Sequence, residues 1–347
     1  MNDPVSACPG AAPPGSGARP EHAQRRCVPV PLVLLVCLIA SAFAAGSALA
    51  KPYPERSVRI VVPFPAGSGP DQVGRILGHR LQDALGQPFV VENRSGALGS
   101  VGAAEVARSA ADGYTVLLTT NTVQAANVAL FKALQYDPVK DFTPIVRLIT
   151  TSMMLMVRSD FPAANLREFI AYARARPQGL TAGYGSAGTQ VSIAKLKSLG
   201  RFATVDVPYK GVPLAVNDVL SGELSFTFAD FAIGLAQLKG GKMKCLGVTS
   251  VRRTALAPDI PAIAEELPGF ETVLWYGLVA PAGVPADAVR ILHDASVRIL
   301  NDQEVSGRLA AMGLDAAPLD PEQFAAYIKR EVAKWTQEAR SAGIEPE

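Results

Sequence analysis

The sequence predicts an α/β fold built as two similar units, each a mostly parallel sheet flanked by helices. Two patterns and a length carry this expectation. Short β-branched runs alternate with helical periodicity in βαβ order. The series then repeats after about residue 150. A chain of 347 residues fits two domains at roughly 150 residues each.

The first unit opens with residues 58–63 (VRIVVP), followed by the turn PAGSG. Residues 71–85 place Val73, Ile76, Leu77, Leu81 and Leu85 at helical spacing. Ser68 or Gly69 suits the cap, Pro70 the first turn and Asp71 the positive end of the dipole, while Gly86 and Pro88 mark the stop. A strand at 89–92, the loop NRSGALGS, a short helix to about Arg108 and a strand at 114–119 complete a βαβαβ series. A connecting stretch follows, holding Tyr136, Asp137 and Pro138, then Phe142, Thr143 and Pro144.

The second series runs from a strand at 153–157 through a helix at 166–175, a strand at 180–184, the glycine loop GSAGT and a helix at 191–199. Further strands are expected at 205–208, 224–228 and 245–249, with a helix at 213–220. A strand at 274–280 leads into helices at 287–300 and 321–342. The last has Phe324, Tyr327, Ile328, Val332 and Trp335 on one face, Asp320 as its cap and Gly343 after it.

Composition excludes several function classes. With 49% hydrophobic and 18% charged residues the chain is globular. A formal charge of +2 supplies no basic stripe for nucleic acid. Residues 1–50 read as a cleaved secretory signal, with Arg25 and Arg26, an apolar stretch and a small-residue exit at Ala48, Leu49 and Ala50. The strongly apolar part, residues 30–44, is shorter than the roughly 20 residues of a spanning helix. Removing the leader leaves 30 basic and 29 acidic residues and takes away Cys8, Cys27 and Cys37, so Cys245 stands alone and no intrachain disulfide forms. His79 and His293 are the remaining histidines, both read as surface residues, which argues against a His-based metal site or a Ser-His-Asp triad.

Each unit places a glycine loop at the carboxyl end of a strand, so two helix amino termini can face one another across a cleft. Main-chain N–H groups and helix dipoles there favour a carboxylate or phosphate without Arg or Lys. The plainer reading is that each glycine only permits a tight turn. A rival comes from another class: Gly67, Gly69 and then Glu92, 23 positions on, imitate a dinucleotide fingerprint. Position 72 is Gln where that fingerprint needs Gly, and secretion denies the chain a nicotinamide pool, so an exported NAD-dependent oxidoreductase is the alternative reading.

Read together, the stretches YPERSVRIVVPFPAGSGPD, FVVENRSGALGSVGA, ADGYTVLLTTNT, YDPVKDFTPI, YGSAGT, VPYKG, GVTSVRRTALAPDIPAIAE, LPGF and WYGLVAPAGVP span essentially all of residues 52–347. In order and spacing they resemble the Bug family of bacterial extracytoplasmic solute-binding proteins, also called the TctC family, which serve tripartite tricarboxylate transporters. The resemblance implies a periplasmic, non-enzymatic receptor with the two-domain, type II (Venus-flytrap) periplasmic-binding-protein fold. Domain 1 would be residues 51–152 plus 275–347 and domain 2 residues 153–274, with a hinge between them. It implies capture of a small organic carboxylate, delivery to the transporter's membrane subunits, a monomer, and no cofactor, metal or nucleic acid. A ligand-binding protein for a signalling sensor is a second alternative.

Carried over by motif, the first wall of the site is Phe64, Pro65, Ala66, Gly67, Ser68 and Gly69, completed by Asn121 and Thr122. The opposite wall is Ser186, Ala187, Gly188 and Thr189, with Asp230 reading the rest of the ligand. On a purely structural reading, Phe64 is core, Ser68 and Thr189 are helix caps, Asp71 is a capping carboxylate, Asp230 caps the next turn and Lys210 is a solvated turn residue. The chain departs from the family where Thr189, Gln190 and Val191 follow SAG. No His opens the helix there, and the run to PYKG is about four residues short. The first loop, PAGSGPD, also lacks the usual double-proline, double-glycine form.

Overall fold

The computed structural model describes residues 53–346, and the leader expected at 1–50 lies outside the described residues. The chain opens with β1 (Val58–Val62), α1 (Gly69–Leu85), β2 (Phe89–Asn93), α2 (Ser100–Ala107), β3 (Thr115–Thr120), α3 (Asn127–Leu130) and β4 (Phe142–Thr151). It crosses into β5 (Met153–Arg158), α4 (Leu166–Arg174), β6 (Leu180–Tyr184), α5 (Ala187–Gly200), β7 (Thr204–Pro208), α6 (Val212–Ser221), β8 (Phe226–Asp230), α7 (Phe231–Lys239) and β9 (Met243–Val248). It returns through β10 (Leu274–Pro281), α8 (Ala286–Asn301), α9 (Gln303–Ala310), β11 (Leu314–Leu319) and α10 (Pro321–Ser341).

Two sheets result, one per lobe. The first has six strands in the order β11-β4-β10-β3-β1-β2, and the second five in the order β7-β6-β8-β5-β9. Both are mixed, where mostly parallel sheets were expected. Pairs joined by helical crossovers are parallel: β1 with β2 and β3, and β6 with β7 and β8. The strands next to the lobe crossings run the other way. Returning from the second lobe, β10 inserts between β3 and β4 and is antiparallel to both. In the second lobe β5 is likewise antiparallel to β8 and β9.

The helix ends follow local chemistry. Ser68 caps α1 by accepting from the Asp71 N–H, and Gly86 closes it in the left-handed region at φ 72°. Val73, Ile76, Leu77 and Leu81 of α1 are buried in the same core as Val58, Ile60 and Val62 of β1. The expected glycine loop after β6 is mostly helix: α5 begins at Ala187, with Ser186 and Thr189 forming a reciprocal capping box. Phe142, Thr143 and Pro144, read above as part of a connecting stretch, begin β4, an interior strand of the first sheet. Pro144 is accommodated beside a bulge between Leu278 and Val279, where the ladder is already interrupted. The sequence reading also passed over α7, α9 and β11.

Two chain segments cross between the lobes, and they are tied together at Thr249. Its hydroxyl accepts from the Met153 N–H at 2.9 Å and donates to the Thr272 carbonyl at 2.7 Å. Its N–H bonds to Met153 O at 2.9 Å, and Thr272 N–H bonds to Thr249 O at 3.0 Å. Near this junction α10 packs a buried carboxylate into the core: Glu331, 5% exposed, accepts from Trp275 Nε1 at 2.8 Å and Trp335 Nε1 at 3.0 Å. Glu331 lies within the face predicted as apolar, because two buried indole N–H groups need an acceptor there. Lys195 of α5 bridges to Glu338 of α10 at 3.2 Å, linking the lobes a second time.

Thr249→Val keeps the shape but strands the Met153 N–H without its acceptor, a loss of roughly 1–3 kcal/mol. Urea unfolding of the variant should show a lower midpoint at unchanged slope, and an unaltered midpoint would show that the tie contributes nothing to stability.

Candidate functional site

The carboxyl ends of β1, β3, β6 and β8 converge between the lobes, each ending beside a turn or helix start. Phe64, Ser68 and Pro70 come from the β1–α1 turn, and Thr120, Asn121 and Thr122 from the end of β3. Gly185 and Ser186 from the β6–α5 turn, Asp230 from the end of β8 and Val212 from α6 complete the opposite side, with Leu274 and Tyr276 of β10 between them. The enclosed volume is about 20 Å³, room for roughly one water. A ligand of several carbons does not fit this space as it stands.

Of the thirteen residues expected at the site, Phe64, Ser68, Asn121, Thr122, Ser186 and Asp230 line this cavity, while Pro65 and Gly69 belong to the same turn without being among the lining residues. Ala66 and Gly67 are exposed on the outer side of the first loop. Ala187, Gly188 and Thr189 are buried in the first turn of α5. At Gly188 an added Cβ would lie 2.5 Å from Leu274 Cδ2, so this glycine permits the helix to approach the strand between the walls.

The main-chain donors of both loops are largely taken by the protein. Gly67 N–H donates to Asp71 Oδ2 at 2.9 Å, and Ser68 N–H to the Pro65 carbonyl at 3.2 Å. Gly185 and Ser186 N–H groups both donate to Thr189 Oγ1 at 3.1 Å, so Thr189 acts as a cap. Two further donors cross between lobes. Gly69 N–H, at the start of α1, donates to Asp230 Oδ2 at 3.2 Å. Ala187 N–H, at the start of α5, donates to Thr122 Oγ1 at 3.2 Å. Each lobe thus caps a helix of the other. The orphan polar atoms of the cavity are side-chain atoms at the end of β3: Thr120 Oγ1 and Asn121 Nδ2 are fully buried and have no partner among the described residues.

Asp230 is 6% exposed. Burial pushes its carboxyl above the ordinary range, against the opposing hydrogen bonds from Gly69 N–H and the Tyr276 hydroxyl. Burial, and then the neighbouring Asp230 charge, raise Tyr276 well above a normal phenol. No Lys, Arg or His is among the described residues lining the cavity. Asp71, just outside, is the structural carboxylate expected of it. Burial works against its charge, but hydrogen bonds from Arg75, Gly67 N–H and Asn93 hold its carboxyl below the usual range. Glu92, the residue the dinucleotide reading needs, is ion-paired with Arg59 at 3.3 Å and Arg94 at 3.5 Å.

Sequence reasoning did not assign Pro70, Thr120, Gly185, Val212, Leu274 or Tyr276 to the site, and of these Thr120 and Tyr276 bring polar side-chain groups. All eight residues of β10 are buried, so no alternation marks the face that Tyr276 presents to the cleft. The β10 insertion between β3 and β4 had to be known first. Thr120 lay one position beyond the strand end predicted at residue 119.

The sequence matches the tripartite tricarboxylate transporter family receptor over residues 73–343. It is 30% identical to protein BugT of Bordetella pertussis over 316 residues, 90% of this chain and 97% of that protein. Among solved structures, Rpa4515 of R. palustris with adipate superposes with a TM-score of 0.83 at 31% identity, covering 85% of this chain and 100% of that one. MatC (Rpa3494) of Rhodopseudomonas palustris with bound malate gives a TM-score of 0.77 at 32% identity, covering 82% and 99%.

Two outcomes follow from this geometry. In Gly69→Ala the new Cβ would stand 2.6 Å from Tyr276 Oη and 2.7 Å from Asp230 Oδ2, so the variant should fold but hold its lobes apart, giving a larger radius of gyration by X-ray scattering. Asp230 binds a proton more readily folded than unfolded, so the stability present below its unfolded pKa of about 3.9 is lost as pH rises through the folded value. Asp230→Asn should therefore melt a few degrees above wild type at neutral pH, with the gap closing as the pH falls towards about 4; a pH-independent gap would contradict this.

Proposed function

Given that the chain belongs to the tripartite tricarboxylate transporter receptor family, we propose that it is a non-catalytic periplasmic receptor whose cleft captures a small organic carboxylate for the membrane subunits of such a transporter. Adipate in Rpa4515 and malate in MatC supply the ligand class for this reading. The observation that carries it is the pair of buried, unpartnered atoms Thr120 Oγ1 and Asn121 Nδ2. They sit in a cavity walled by both lobes, where a hydroxyl and an amide can donate to carboxylate oxygens.

Phe64, Ser68, Thr122 and Ser186 shape the same space. Ala66, Gly67, Ala187, Gly188 and Thr189 serve it indirectly, through the turns and caps that set the walls. Parting and reclosing of the lobes 51–152 plus 275–347 and 153–274 gives reversible capture, with ligand favouring the closed arrangement in proportion to its differential affinity. The leader directs the chain to the periplasm, where it acts as a monomer. No helix among the described residues is long and apolar enough to cross a membrane.

The test is a thermal-shift and calorimetric screen of the chain from Lys51 on, refolded to remove carried-over ligand, against di- and tricarboxylates, aromatic acids, amino acids, phosphate and NAD. A ligand at 100 times its dissociation constant should add about 2.7 kcal/mol. A selective shift with one carboxylate class is the expected result, and Asn121→Ala should weaken that ligand at least tenfold. A shift with NAD alone would overturn the receptor reading.

A further inference from the structure

Away from the cleft, the first lobe carries a groove of about 300 Å³ between α1 and α9. Ile76, Val305 and Met312 give it an apolar floor, and Arg75, Arg80 and Arg308 stand along its rims. Arg80 is already paired, with Glu304 of α9 at 2.6 Å. Arg308 is exposed and makes no hydrogen bond or ion pair among the described residues. Arg75 reaches from the groove to the first wall of the site. Its Nε donates to Asp71 Oδ2 at 3.0 Å and a terminal nitrogen donates to Asn93 Oδ1 at 3.2 Å. Asp71 in turn accepts from the Gly67 N–H at 2.9 Å, and Asn93 Nδ2 donates to the Phe64 carbonyl at 3.0 Å. The loop beneath the first wall is therefore tied to a guanidinium whose side chain is 54% exposed. The other rim also leads to the cleft. Met312 runs into Gly313, where an added Cβ would lie 2.5 Å from Phe231 Cβ, and Phe231 directly follows Asp230 of the second lobe.

The groove selects its occupant by combining charge with apolar surface. An inorganic anion would meet the guanidiniums and leave the floor of Ile76, Val305 and Met312 wet. An anionic membrane surface is attracted by clusters of roughly four to eight Lys or Arg, whereas Glu304 here, and Asp83 and Asp302 on the adjoining surface, interrupt the basic groups. A peptide segment that mixes Asp or Glu with apolar side chains satisfies both features, through charge-assisted bonds at the rim and contact on the floor.

Building on the receptor reading above, we propose that the groove between α1 and α9 is the docking face for an acidic segment of a membrane subunit of the transporter, and that Arg75 couples docking to the loop of the first wall. Arg308 has no internal pair to give up, so it supplies the first attraction. A partner carboxylate that then reaches Arg75 shares its guanidinium with Asp71 and Asn93. The hold of those two side chains on the Gly67 N–H and the Phe64 carbonyl slackens as a result, so the receptor loosens one wall of its cleft where it meets its partner.

The experiment titrates the chain from Lys51 on with a short synthetic peptide of Glu and Leu, its Gln and Leu counterpart, and inorganic phosphate. Wild type should bind the Glu peptide about fivefold more tightly than the Gln peptide, the scale of one or two surface ion pairs. Arg308→Glu should lose that preference, and Arg290→Glu, at an exposed position of α8 outside the groove, should keep it. Exchange of the Gly67 amide, followed by NMR, should quicken when the Glu peptide saturates wild type. No preference in wild type, or equal loss in both variants, would overturn the docking face. Displacement of the peptide by an equal concentration of phosphate would make the groove a small-anion site and overturn it too. Unchanged exchange at Gly67 would overturn the coupling through Arg75. None of these readings uses a cleft ligand, so carboxylate binding without peptide binding removes the docking face alone and leaves the receptor reading in place.

Discussion

A helix begins with N–H groups that its own backbone cannot satisfy, and the architecture between these lobes is organised around that constraint. The start of α1 is met by Asp230 of the second lobe and the start of α5 by Thr122 of the first. Because each bond spans the cleft, helix capping and lobe closure are one process here. The close approach of the strand ends, the small residue at Gly69 and the buried position of Tyr276 all serve to bring these partners within reach.

The hinge obeys a complementary rule. Segments that cross between lobes expose backbone on leaving a sheet, and the Thr249 tie satisfies those groups with one side chain and its own backbone. The Lys195–Glu338 pair, with both side chains about one-fifth exposed, adds a charged contact between the lobes.

Much of the fold was legible because it rests on local chemistry. The cap at Ser68, the stop at Gly86 and the apolar spacing of α1 are written in one short stretch. What was not legible depends on partners distant in sequence. The expected connection through Phe142, Thr143 and Pro144 becomes part of a strand because β10 and β11 flank it, and Pro144 sits beside a bulge in β4, where Val146 and Pro144 face successive residues of β10. At the site, the motif resemblance brought Phe64, Ser68, Asn121, Thr122, Ser186 and Asp230 to one cavity. Read residue by residue, Thr189 and Asp71 were capping groups, and both do absorb loop N–H groups; what no spacing encodes is that the Gly69 and Ala187 N–H groups find their acceptors in the opposite lobe. The departure at Thr189 and Gln190 has a physical counterpart in the capping box that starts α5 early, where a loop was expected.

The arrangement around Glu331 carries an optical consequence. The chain has 2 tryptophans, and both indoles share this one carboxylate while packing between β10 and α10. Trp275 directly follows Leu274, whose side chain forms part of the cavity wall. Intrinsic fluorescence of this protein therefore originates from a single water-excluded pocket adjoining the cleft. Its wavelength and intensity register events at that seam, with no dye, label or engineered chromophore required.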